Sequence, residues 1–193
     1  AFRQEDGQRA WKREGLGRIA AGLCSAGDTL FVAARSDSVL ALDANTGKVL
    51  WTAVVPGRRA APPTLRGGDD RLVLINANGD EAQLDRANGR LRLRRQRAAF
   101  QLAAPLLAND WSVSLASGGR VEAFRAEEKV SSWSIELGST PAGGALGEGR
   151  ELFLLRQTGR LSALRLDRGE DAWSLELPGN FLVPPLITHS RLV

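Results

Sequence analysis

The feature that most constrains this chain is a spacing. An apolar pair, a turn and a returning aromatic recur at a nearly fixed interval. The clearest copy is Ala41-Leu42-Asp43-Ala44-Asn45-Thr46-Gly47-Lys48-Val49-Leu50-Trp51. It reads as a β-hairpin: Asp43 suits an Asx-turn, and Gly47 takes φ > 0 without a Cβ penalty. The same frame appears at Ala1-Phe2, Gly7, Trp11 and at Ala163-Leu164, Gly169, Trp173. Two copies are degenerate. One is Gln83-Leu84, Gly89, Leu93; the other is Ala123-Phe124, Lys129, Trp133. The last positions of the frame stand 40, 42, 40 and 40 residues apart. Four of the five tryptophans occupy that position, and Trp111 is the exception.

Between hairpins the chain predicts two further strands. Pro63, Pro105 and Pro185 each sit in a small or apolar segment (60–65, 102–107 and 181–187) twelve residues after the frame's last position. Proline cannot donate to a neighbouring strand, so these segments are expected to be first strands with an open edge. Short β runs follow at Leu30-Phe31-Val32, Leu72 to Ile75, Trp111 to Leu115 and Leu152 to Leu155. Leu16, Ile19, Ala20 and Leu23 have helical spacing, but the repeat register assigns that segment to a strand. Four short strands per roughly 40 residues is the signature of a β-propeller blade. The expected fold is therefore all-β, with four-stranded antiparallel blades at about 12–51, 52–93, 94–133 and 134–173. Partial units are expected at 1–11 and 174–193, as in a slice of a longer propeller.

Composition removes most chemistry. One cysteine, Cys24, permits no internal disulfide or cysteine cluster, and one histidine, His189, is all a nucleophilic triad would have. Cys24 is expected as a small buried hydrophobe. Asp69-Asp70 and Glu127-Glu128 fall in expected turns, and Asn76 to Asp80 lacks the closing acid of a calcium loop. No apolar run reaches a membrane-spanning length. Residues 1–12 are too polar for a signal peptide.

The hairpin at 41–51 resembles the repeat of the pyrroloquinoline-quinone-type β-propellers, and within that superfamily the chain in its general appearance looks most like the BamB-type lipoproteins that scaffold outer-membrane protein assembly. The resemblance covers nearly the whole chain. It implies that Trp11, Trp51, Trp133 and Trp173 dock between blades beside Ala1, Ala41, Ala123 and Ala163, weakly where Gln83, Leu93 and Lys129 depart from the pattern. It implies a non-enzymatic scaffold, periplasmic or outer-membrane-associated, with a protein partner and no cofactor. Two alternatives belong to the same superfamily: a quinoprotein dehydrogenase fragment, and the sensor propeller of a membrane receptor kinase. Dehydrogenases of this type carry adjacent cysteines and a calcium-binding ligand set, which this chain does not display.

Strand order also predicts a partner surface. Second-to-third and fourth-to-first connections emerge on one face. They carry Arg35, Arg58, Arg59, Arg94, Arg95, Arg97, Arg120, Arg156 and Arg160, with few acids beyond Asp37 and Asp80. The opposite connections mix signs. The basic face is expected to dock an acidic protein segment, because arginine binds carboxylates through a planar fork. Nucleic acid is not expected, since only Phe100 and Phe181 offer stacking near that face.

Overall fold

The computed structural model describes residues 1–16, 18–34, 37–57, 62–65, 70–76, 78–98, 101, 105–188 and 191–192. These divide into two compact units, one of residues 1–77 and 81–94, the other of 78–80 and 95–193.

In the first unit, β1 (Ile19–Ala26), β2 (Thr29–Ala34), β3 (Ser38–Asp43) and β4 (Val49–Val54) form an antiparallel meander in chain order. The segment with helical spacing is thus a strand, because its apolar residues pair across the hairpin (Cys24 with Phe31, Leu23 with Val32). A second sheet follows in the same order: β5 (Thr64–Leu65), β6 (Arg71–Ile75), β7 (Asp80–Asp85) and β8 (Leu91–Gln96). Phe31, Ala33, Val39, Ala41, Leu72, Leu74, Ala82 and Leu84 make one core cluster between the two sheets. Val32, Ala34, Leu40 and Leu42, on the other side of the first sheet, gather against Trp11 and Leu16. Covered on both sides, β2, β3 and β6 read as near-continuous apolar runs, while β7 buries Glu81 and Gln83 between its apolar residues and the fourth strands β4 and β8 alternate.

The second unit repeats the plan. β9 (Leu106–Ala108), β10 (Trp111–Leu115), β11 (Arg120–Arg125) and β12 (Trp133–Glu136) form one sheet. β13 (Leu146–Glu148), β14 (Glu151–Leu155), β15 (Arg160–Arg165) and β16 (Asp171–Glu176) form the next. Val113, Leu115, Val121, Ala123, Leu152, Leu154 and Leu164 build the core between them. β17 (Ile187–Thr188) and β18 (Arg191–Leu192) make a two-stranded ribbon. Pro63, Pro105 and Pro185 are buried just ahead of β5, β9 and β17 rather than inside them. There the ring needs no donor, so no ladder bond is lost. Fourth strands run three residues past the tryptophan, to Val54, Glu136 and Glu176.

Candidate docking surface

The seats that hold the sheets together set where the surface residues point. Trp51 stands opposite Ala41 on the neighbouring strand. Its indole N–H donates to the carbonyl of Arg86 at 2.9 Å. Its ring lies so close over Gly89 that a Cβ there would sit 2.6 Å from a ring carbon. Gly89 also has φ +72°, so the site excludes side chains twice over. Trp11 repeats this on Ala44 and Gly47 (2.8 Å), and Trp133 on Leu166 and Gly169 (2.9 Å). The turns beneath are Asx-turns where an aspartate is present. Asp43 accepts from the N–H of Thr46 at 2.7 Å and from its hydroxyl at 2.7 Å. Those Thr46 bonds hold its carboxyl below the usual range. Trp173 pairs with Ala163 and packs 6.0 Å from Phe153, but its sheet face is exposed along all of β16.

The third seat is built differently. Leu93 occupies the tryptophan position and is buried. Two residues on, Arg95 is also buried, and one of its Nη groups donates to the carbonyls of Arg125 (2.8 Å) and Glu128 (2.7 Å). These carbonyls belong to the turn that carries Lys129 in place of glycine. Arg95 and Arg97 both lie over the ring of Phe124, at 4.5 and 4.4 Å. Arg97 donates to the hydroxyls of Ser114 (3.1 Å) and Ser112 (2.6 Å). These two arginines therefore leave the expected docking face: they are interior, spent on backbone, serine and aromatic partners. Strand alternation was the available signal. Once Leu93 faces inward, Arg95 and Arg97 must follow, while Arg92, Arg94 and Gln96 face out.

The remaining arginines differ among themselves. Arg35, Arg58 and Arg59 lie outside the described residues, as do Asp69, Phe100 and His189. Arg94 is exposed. Arg120 is partly exposed but already engaged: its Nε donates to Glu122 at 3.0 Å and an Nη to Glu136 at 3.0 Å. Glu122, then Glu136, hold its proton more tightly than usual. Arg160 lies along β16, with Ser174 at 3.1 Å, Asp171 at 3.5 Å and Glu176 at 3.9 Å. Arg156 is half-buried, and its side chain makes no hydrogen bond or ion pair with the described residues. The face is thus less one-signed than strand order suggested, because Glu122, Glu136, Asp171 and Glu176 come from strands rather than connections. Elsewhere, Trp111 is buried beneath the Arg125 guanidinium, 4.4 Å from its ring. Cys24 is half-buried, and burial pushes its thiol up to about 11. Among the described residues, no group of three His, Cys, Asp or Glu side chains is arranged to hold a metal ion. Among the same residues no helix is long and apolar enough to cross a membrane.

The family model described as outer membrane protein assembly factor BamB matches residues 1–69 and 67–182. The chain belongs to the BamB family. BamB from Alteromonas naphthalenivorans is 25% identical over 186 residues, covering 87% of this chain and 43% of that protein. The crystal structure of BamB from Moraxella catarrhalis superposes with a TM-score of 0.72 at 21% identity, over 93% of this chain and 56% of that one. The glycerol dehydrogenase large subunit of Gluconobacter oxydans is 42% identical over 57 residues, which is 28% of this chain and 8% of that protein. The chain spans less than half the length of the curated BamB proteins it matches. With its four-stranded antiparallel blades, it is a PQQ-like repeat β-propeller of partial extent.

Proposed function

We propose that this chain is part of a non-enzymatic scaffold in outer-membrane protein assembly, held in the periplasm or at the outer membrane. It engages a protein partner through the connections that follow the second and fourth strands of its blades. The observation that carries this reading is the family match along residues 1–182, to a family described by that assembly role. The blade design supports it. Tryptophan seats and doubly covered middle strands commit the interior to packing, so variable chemistry is left to the connections.

Photo-crosslinking in the living host tests it. The protein carries a photoreactive residue in place of exposed Thr158, in the turn between β14 and β15. Adducts with components of the outer-membrane protein assembly machinery are expected. Adducts only with cytoplasmic proteins would overturn the assignment.

One observation favours a second reading, the 57-residue match to a dehydrogenase subunit. On that reading the chain is a fragment of a quinoprotein. Pyrroloquinoline quinone with calcium, added to the purified protein with glycerol and a reducible dye, would then give dye reduction. The scaffold reading expects none.

A further inference from the structure

The turns between second and third strands in the last two sheets are built alike, so differences between them are informative. In the third sheet the turn runs Ala116-Ser117-Gly118-Gly119-Arg120. It is closed by the N–H of Ala116 on the carbonyl of Arg120 at 2.9 Å. In the fourth it runs Arg156-Gln157-Thr158-Gly159-Arg160, closed by Arg156 on Arg160 at 2.9 Å. Both middle glycines have left-handed φ, +88° and +102°, with a backbone carbonyl where a Cβ would go.

The second arginine of each turn follows the same path along its fourth strand. Arg120 reaches Ser134 (3.4 Å) and Glu136 (3.0 Å); Arg160 reaches Ser174 (3.1 Å) and Glu176 (3.9 Å). One contact has no counterpart. The Nε of Arg120 donates to Glu122, whose second oxygen accepts the N–H of Ala98 at 2.7 Å. At the equivalent of Glu122 the fourth sheet has Ser162. There the Nε of Arg160 and the hydroxyl of Ser162 are buried with no hydrogen-bond partner. At the equivalent of Ala116 it has Arg156, whose Nε is also buried and unpartnered. Asp171, 3.5 Å from Arg160, stands where the third sheet has Ser131, so Arg160 still has two acids beside it, and what this turn gains is one base, Arg156.

A guanidinium left without acceptors is an expensive thing to keep partly buried. Burial, and then repulsion from Arg160, pull Arg156 below its ordinary value, only partly offset by Asp171 and Glu176. An arriving carboxylate would relieve both, since charge-assisted bonds to arginine are the strong ones.

We propose that Arg156, backed by Arg160, is the point on this propeller that holds a carboxylate side chain of an acidic protein segment. The carboxylate is taken by the Arg156 guanidinium, whose Nε is buried without a partner and whose terminal nitrogens bond none of the described residues. It gives Arg156 the acceptor that Arg160 already has in Asp171 and Glu176. The site rests on the scaffold reading for its biological setting, but not for its chemistry.

The test uses a fluorescein-labelled hexaglutamate peptide, titrated against the purified chain by fluorescence anisotropy. Saturable binding that weakens with added salt is expected. R156A should weaken it at least tenfold; it removes no side-chain hydrogen bond or ion pair with the described residues, and an unchanged denaturant midpoint would show that the variant keeps its fold. S162E should weaken it similarly, by supplying the carboxylate from within. R168A, an exposed arginine on a third-to-fourth-strand turn, should leave it unchanged. No saturable binding, or equal losses in R156A and R168A, would overturn the site. Assembly-machinery crosslinks with no hexaglutamate binding would remove this site and leave the scaffold standing. Hexaglutamate binding lost in R156A without such crosslinks would do the reverse.

Discussion

Two seats in this molecule solve one problem with opposite chemistry. In the first unit, Trp51 lies flat on Gly89 and donates a single hydrogen bond to the turn carbonyl of Arg86. In the second, Arg95, two residues past Leu93 at the tryptophan position of the repeat, reaches the turn that carries Lys129 in place of the glycine. It donates to two carbonyls and lies over Phe124. The tryptophan seat runs on apolar burial and needs a turn with no side chain. The arginine seat runs on charge-assisted bonds and tolerates a side chain on the turn, because it approaches the carbonyls rather than the glycine. A repeat that looks degenerate in sequence can thus be held by a residue two positions away.

The comparison can be broken most directly at Trp51. W51A removes a large ring and leaves its space and the Arg86 carbonyl uncovered. It should cost about 3–5 kcal/mol in denaturant melts. L93A should cost less, about 2–3 kcal/mol, because Arg95 retains the hydrogen-bonding part of that seat. Equal losses would show that the third seat is an ordinary docking contact after all. R95K sharpens the contrast. A lysine keeps the charge but cannot fork onto two carbonyls while lying flat on Phe124, so a loss of about 1–2 kcal/mol is expected. An unchanged midpoint would mean that charge alone suffices.

The smallest effect concerns acid. Asp85 is held below the ordinary carboxylate range, first by its hydrogen bond from Arg92, and Asp43 by Thr46. A carboxyl whose folded pKa is depressed contributes stability above its unfolded value. That contribution is lost as pH falls through the folded value. The melting temperature should therefore decline below about pH 4, and D43N should shallow that decline. The third-sheet turn has Arg125 at this position, so R125N should leave the acid limb unaltered. A D43N profile parallel to the parent would show that the Asx-turn acid does not govern this limb.

Much of this molecule was written locally. The hairpin turns need an aspartate or a glycine with φ > 0, the middle strands need apolar runs, and the interval between tryptophans counts four strands. These are properties of a few adjacent residues, so the spacing at 11, 51, 93, 133 and 173 by itself carries the all-β blade architecture. The fate of the arginines was not local in that sense. Arg94, Arg95, Arg120 and Arg156 look alike in a linear reading. Only packing made the first exposed, the second interior, the third internally neutralised by Glu122 and Glu136, and the fourth short of an acceptor. The physical reason is range. A turn is decided by backbone torsions within four or five residues. A charge is decided by which carbonyls, carboxylates and rings neighbouring strands bring within about 4 Å, and only the folded chain sets those distances.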